Sequence, residues 1–466
     1  MKGKLMENLF RIVGLVLIFW ASNGVNGTAG TNVTDCDIAA STVAGVKSKA
    51  DAKESEEKRF NPAECFDKIW ETINDKFWDP NLNGVDWEEA GIKYKPKALA
   101  AKDHESFAII INQMLAELKT SHNHYYTKWE PDYYTLQAAL ISDFLAVMKT
   151  SDASVIGKIA PGKYSSQANP HRTGIGIVTK KIDDHYYVSA VLASSPAEKT
   201  GIVIGDRLVK VNGQPFHPIS SFENKAGQEV KLTIQRGPSE STRRLVTVIP
   251  LDKKERELFE IDTQERMKTI EHKGHRFSYI RLWWLGGRVM RKALDWVVNE
   301  AGKVEGIIID IRDGFGAGPA DEYMEPFLKN SSETVAHKEI SRTKTFRSTV
   351  KFEKKGKFEK PVIIIVNSGT RSAKEVLAYY FRKTKRGVLI GERTAGFVSG
   401  GGLERISGDS LLLYCKWMKV VDGKRLEGVG VEPDIDVPFD IRFAGGKDIQ
   451  LERAKDEMVK LIESVR

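Results

Sequence analysis

Ser372 is the side chain whose surroundings in the sequence best suit covalent chemistry. The apolar run Pro361-Val-Ile-Ile-Ile-Val366 reads as a buried strand. Asn367-Ser-Gly-Thr-Arg-Ser372-Ala-Lys-Glu375 follows it, and then a helical pattern to Arg382. A serine in such a strand-to-helix turn stands at a helix N-terminus, where free N–H groups and the helix dipole favour negative charge. That suits a nucleophile and the oxyanion it creates. The same residues also read as a capping box, with Ser372 as N-cap and Glu375 three positions on, and the local sequence alone favours the cap. A Gly-rich stretch, Asp310-Ile-Arg312-Asp-Gly314-Phe-Gly316-Ala-Gly318, follows a second apolar run, Val304 to Ile311. It is not a dinucleotide fingerprint, because Pro319 stands where that motif needs its third glycine and the start of a helix. Three cysteines without CxxC or Cys/His ligand spacing argue against a zinc site, and neither a metal nor another cofactor is expected.

The wider pattern moves Ser372 from cap to nucleophile. Ser372-Ala-Lys-Glu after an apolar strand, then Gly391-Glu-Arg-Thr-Ala-Gly396, resembles the carboxyl-terminal processing (tail-specific) serine proteases. The Asp310 to Gly318 stretch is similar to their Asp-x-Arg and Gly-rich loop. Gly428-Val-Gly430-Val-Glu-Pro433-Asp434 is similar to their late Gly-x-Gly-x-x-Pro-Asp turn. The resemblance covers most of residues 60–440. It implies an α/β protease core over residues 255–466, where continuous apolar runs, each followed by a helix, argue a mainly parallel sheet. It also implies hydrolysis of peptide bonds in protein substrates.

One departure matters. The best-known members pair the serine with a lysine after the Gly-Glu-x-Thr segment, and here Phe397 holds that position. Lys374 does not replace it, since two residues along a helix from Ser372 it points to another side. The sequence is instead similar to the tricorn-like branch, which uses Ser, His and Glu. On that resemblance His122, in Leu118-Lys-Thr-Ser121-His122, is the general base, with His124 as competitor. Glu427 is the acid that orients it through Ser121, with Glu432 as alternative. An imidazole with an ordinary value near ~6.5 takes the serine proton and passes it to the leaving amine. The backbone N–H groups of Ala373 and Gly316 form the oxyanion hole in the same reading.

These residues need a scaffold. Phe66, Ile69, Trp70, Ile73 and Phe77 fall at helical spacing, and Phe107 to Leu118 gives a second helix that delivers Ser121 and His122. Residues 59–150 therefore read as an N-terminal helical segment. From about 170 to 252 the texture changes to short strands and Gly turns. Ser195-Pro-Ala-Glu-Lys-Thr-Gly201 and Gly205-Asp206 to Asn212-Gly213 resemble the helix–turn–strand–turn of a PDZ domain, with Gly174-Ile175-Gly176-Ile177 in place of its carboxylate-binding loop. Glycines there let successive N–H groups converge on a peptide tail while a strand edge pairs with it. Beyond residue 260, apolar runs followed by helices argue an α/β layer.

At the N-terminus, Lys2, Lys4 and Arg11 flank the apolar Ile12 to Ala21, and small and polar residues follow. That order is a signal peptide over 1–27, too short to span a bilayer at ~20 residues. Residues 28–58 read as a flexible linker. Export, to a periplasm or the extracellular space, would permit a Cys36–Cys65 disulfide and would leave Cys415 over. It would also give meaning to the sequons at Asn26, Asn32 and Asn330. Membrane contact is expected only through the signal.

The 466 residues suit about three domains at ~150 each. The charge of +8 is spread thinly, without an Arg-rich stripe interleaved with aromatics, so nucleic acid is not the expected partner. The sequence thus reads as an exported serine endopeptidase. A second reading is a catalytically silent relative that binds a peptide or an apolar ligand. A third is a PDZ-centred scaffold with a purely structural α/β part.

Overall fold

The computed structural model describes residues 60–138, 171–286, 288–328, 333–352 and 356–465. The expected signal peptide and linker, Cys36 and all three sequons lie outside these. The chain divides into two compact units, Met1–Asn61 and Pro62–Arg466, and the architecture below belongs to the second.

Three helices open it, Pro62–Lys76, Trp87–Leu99 and His104–Ala116. The first buries Phe66, Ile69 and Ile73 along one stripe, as their spacing requires. The second was not legible from periodicity and carries Pro96 inside it; Asp86 starts it by accepting the Glu89 N–H. Asp103 caps the third by accepting the Ser106 N–H, so that helix begins three residues before the apolar run. The turn after it contains two left-handed non-glycine residues, Lys119 and His122. The strand His124–Thr127 then pairs antiparallel with the start of Ser410–Val421, which fixes the turn from its far side.

The PDZ-like segment is an antiparallel sheet of six strands built on Ile177–Ile182, His185–Val191, Arg207–Val211, Val230–Gln235 and Arg243–Val248, with Gln214–Pro215 at its side. A short helix, Pro196–Lys199, is capped by Ser195. Val188, Leu208, Phe222, Leu232 and Ile234 form its own core. His171–Gly174 pairs with Leu251–Lys254 where this insertion enters and leaves, and the Arg172–Glu255 ion pair is buried beside that junction.

Behind the site stands a six-stranded sheet in the order Lys268–His272, His275–Arg281, Gly306–Asp310, Val362–Val366, Val388–Gly391, Ile435–Asp436. On one face Ala454, Met458 and Ile462 of the helix Ile449–Val465 pack on Ile308, Ile363 and Ile365. On the other, Leu294 and Val297 of Arg288–Asn299 and Leu377 and Phe381 of Ala373–Lys383 pack on Ile307, Ile309 and Ile364. Each of the larger side chains among these contributes about 1.5–3 kcal/mol by leaving water.

The expectation of a mainly parallel sheet needs correction. Parallel pairing joins the last five strands of this sheet and one two-stranded patch, Trp284–Leu285 with Phe315–Gly316. The other pairings described are antiparallel. They include a five-stranded sheet in which Ser410–Val421 pairs with His124–Thr127, Thr334–Ser341 and Gly400–Ser407, and Thr345–Lys351 lies at the edge. Its central strand is marked by the apolar run Leu411 to Val421, but the hairpin strands at 334–351 escaped the reading because they are mostly polar and largely exposed.

Candidate active site

Ser372 sits where the buried strand Val362–Val366 turns into the helix Ala373–Lys383, with φ +61° and ψ −127°. This is a strained conformation for a non-glycine residue, and such strain is sustained only where surrounding bonds impose it. The Ser372 N–H donates to Phe397 O at 2.7 Å and to Glu375 Oε2 at 3.1 Å. Glu375 thus does what a capping box asks of its third residue, and more. Its carboxylate also accepts from Thr394 Oγ1 and from the N–H groups of Gly396 and Phe397, so it ties the Ser372 turn to the 394–397 loop. Burial raises the Glu375 carboxyl to about 7, against the pull of these donors.

The turn after the third helix brings the remaining groups. The Ser121 N–H donates to Glu427 Oε1 at 2.6 Å. Ser121 Oγ lies 2.8 Å from His122 Nδ1. The second Glu427 oxygen accepts from Val398 N at 3.0 Å and Ser399 N at 2.9 Å. Burial alone would raise the Glu427 carboxyl, but hydrogen bonds from Ser121 and Ser399 hold it below the ordinary value. Burial pushes the His122 imidazole down to about 4; Glu427 pulls it up, and Arg371 and Lys419 push it further down. A neutral imidazole with Nδ1–H directed at Ser121 Oγ leaves Nε2 as a bare base.

A relay of backbone bonds connects the two halves. Phe397 O holds Ser372, the next two N–H groups hold Glu427, and Glu427 holds Ser121 beside His122. Ser372 Oγ and His122 share no hydrogen bond in this structure. Such contacts commonly tighten only around a bound substrate.

The Gly-rich loop lies against the N-terminus of the Ser372 helix. A side chain at Gly316 would meet Ala373 N at 2.3 Å and Lys374 N at 2.6 Å, so the loop approaches this closely only because residue 316 has none. The first N–H groups of a helix lack carbonyls a turn below, and here they face the loop.

The competing assignments lie elsewhere. His124 Nε2 contacts Glu130 at 2.8 Å, and Glu432 is half-exposed and paired with Arg393. The Phe397 side chain is 42% exposed, while its backbone serves Ser372 and Glu375. Lys374, dismissed as a base from its spacing, is fully buried and donates to Asp313 O at 2.6 Å. Arg371 is a residue the sequence reading passed over. It donates to Gly314 O at 2.8 Å and to Asp132 at 3.0 Å, and its guanidinium stacks 3.9 Å from the Phe315 ring centre.

In the PDZ-like segment, Gly174 to Ile177 line a small cleft with Phe216 and Pro218. Pro131, from the helical stretch 131–138, closes one side of it. Gly176 has φ +74°, and a Cβ there would stand 2.2 Å from Ser195 Cβ; at Gly174 nothing lies within 4 Å.

Residues 276–437 match peptidase family S41, residues 60–116 the tricorn protease C1 domain and residues 173–248 the PDZ domain. The tricorn protease homolog 2 of Streptomyces coelicolor is 24% identical over 421 residues, 86% of this chain and 32% of its own length. A CtpA-like serine protease of Staphylococcus haemolyticus is 24% identical over 367 residues, 74% of this chain and 67% of its own. The chain therefore spans about a third of the first relative and about two thirds of the second. A solved structure of mature CPAF complexed with lactacystin aligns with a TM-score of 0.52 and 13% identity, over 86% of this chain and 99% of that one, which makes the fold a shared one.

Proposed function

We propose, for a chain that belongs among the C-terminal processing serine peptidases through its family S41 core, a tricorn-type division of labour. Ser372 is the nucleophile, His122 the general base and Glu427 the acid that orients it through Ser121. The observation that carries this reading is the hydrogen-bonded chain from His122 through Ser121 to Glu427, anchored one residue from the carbonyl that holds Ser372.

His122 Nε2 takes the Ser372 proton as Oγ attacks the scissile carbonyl carbon. The new oxyanion is met by the N–H groups of Ala373 and Gly316, worth about 10²–10³ in rate for one such donor. His122 returns the proton to the departing amine and leaves an acyl-serine. Water, activated by the same imidazole, then releases the acid. Ser121 and Glu427 fix the tautomer and stabilise the imidazolium.

Protein or peptide chains are the substrates in this reading, captured by their C-terminal carboxylate at Gly174, Ile175, Gly176 and Ile177. The charged and apolar order of residues 2–21 supports export to a periplasm or the extracellular space. The inactive, ligand-binding alternative is not favoured, since the peptidase family S41 match and the CtpA-like serine protease relative both support a serine peptidase. The test is digestion of an unfolded protein with a free C-terminus, followed by mass spectrometry. New peptides from wild type and none from Ser372→Ala support the reading. Digestion that survives Ser372→Ala removes the serine from the mechanism.

A further inference from the structure

Arg371 and Lys374 flank the proposed nucleophile at one residue before and two after, and neither side chain has a part in the proton relay. Both reach to the Gly-rich loop. Lys374 Nζ donates to the carbonyl of Asp313, and Arg371 Nε to the carbonyl of the next residue, Gly314. These are successive peptide units, and Phe315 N–H, in the second of them, donates to Trp283 O at 3.2 Å. The planes leading to Gly316 are thereby set by two side-chain donors that ride on the same turn as Ser372. Phe315 is held from its other side by the Arg371 guanidinium on its ring.

The Lys374 amine is an unusual choice for such a place. Its side chain is fully buried, and Asp313 O is its hydrogen-bond acceptor. The Asp313 carboxylate is engaged elsewhere, by Arg281 at 3.1 Å and Asn367 Nδ2 at 3.0 Å. Burial first, and the Arg281 charge next, hold the amine well below the ordinary lysine value. A methionine or leucine would fill the same volume without that desolvation cost, so the amine is there for the bond it makes.

We propose that Arg371 and Lys374 are positioning residues that clamp the 313–316 loop to the nucleophile turn and so hold the Gly316 N–H beside that of Ala373. This rests on the serine-peptidase reading and deepens it. The two side chains act through the loop and touch no reacting atom. With nucleophile and oxyanion loop gripped by one turn of chain, a shift of either carries the other with it, and the distance between attacking oxygen and oxyanion donors stays constant. Substrate binding through the cleft and the PDZ-like segment does not use this distance, so the clamp serves turnover and not ground-state affinity.

The experiment is steady-state kinetics on a fluorogenic peptide that the full-length wild type cleaves, with Lys374→Met and Arg371→Leu. Lys374→Met keeps the volume and removes the donor. Arg371→Leu acts at a less buried position and keeps the proposal testable even where the lysine variant fails to fold. The expected result is kcat lowered about 10²-fold in Lys374→Met and about 10-fold in Arg371→Leu, with KM within about twofold of wild type, the size and sign of a disturbed oxyanion donor. Inhibition by a peptidyl aldehyde, whose adduct carries the oxyanion, should weaken by the same factors. Binding of the uncleaved peptide to the Ser372→Ala forms of both variants should not change. Wild-type kcat in folded variants, or a raised KM at constant kcat, overturns the clamp while the serine mechanism stands. A wild type that cleaves no peptide and forms no aldehyde adduct overturns the mechanism and the clamp together.

Discussion

Glu427 divides its two carboxylate oxygens between two distant parts of the chain: Oε1 takes the Ser121 N–H at 2.6 Å, and Oε2 takes the N–H groups of Val398 and Ser399. Glu427 is therefore a structural joint as well as the orienting acid of the proposed mechanism. Removing it should differ in kind from removing Ser121. Glu427→Ala strands three buried N–H groups at about 1–3 kcal/mol each, so it should lower thermal stability as well as activity. Ser121→Ala, which keeps its N–H bond, should cut kcat roughly tenfold at nearly unchanged melting temperature. Calorimetry beside kinetics separates the two; equal losses of stability would contradict the division.

The pH profile carries a second prediction. An imidazole with a value near 4 is already a free base at pH 5. The acid limb of kcat/KM should therefore fall near 4 and not near the ordinary ~6.5. Stability has a matching sign. His122 binds a proton more readily unfolded than folded, so its contribution is fully present above about 6.5 and is lost as pH falls toward 4. An acid limb at 6.5 that persists in His122→Ala would assign the titration to another group.

Gly316 offers a test of the oxyanion loop that needs no side-chain chemistry. A methyl group in Gly316→Ala would meet Ala373 N at 2.3 Å, so the loop must retreat from the helix. Activity should fall by at least about 10²-fold. A variant that retains full kcat would place the oxyanion donors elsewhere.

For tail capture, Gly176→Val is the wrong probe, since the left-handed backbone and Ser195 leave it no room and it should damage the domain. Gly174 lines the cleft, and a Cβ there meets nothing within 4 Å, so Gly174→Val spares the fold. It should lower kcat/KM for a protein with a free C-terminal tail several-fold and leave a short peptide unaffected. Equal effects on both substrates would separate the cleft from substrate choice.

The sequence made the nucleophile turn legible because strand, turn and helix are each marked locally: an apolar run, small polar residues, then 3.6-residue periodicity. Ser121, His122 and Glu427 were legible only through a family pattern, since nothing in their spacing says that a turn at 121 meets a loop at 427. The second antiparallel sheet, which brings that turn into place through His124–Thr127, was legible only in its central strand. Its exposed hairpin carries polar residues, and strand partners more than 280 residues apart leave no local trace. The loop contacts of Arg371 and Lys374 were hidden for another reason. A buried lysine looks in sequence like a solvated one, and its backbone acceptor carries no residue-type signal.

In the proposed mechanism His122 activates Ser372. The direct measurement is the rate of covalent labelling by a fluorophosphonate, with the adduct mapped by peptide mass spectrometry, in wild type and His122→Ala. The expected result is one adduct, on Ser372, formed at least about 10²-fold more slowly without His122. An adduct on another serine, or labelling of Ser372 at the same rate in both proteins, would contradict it.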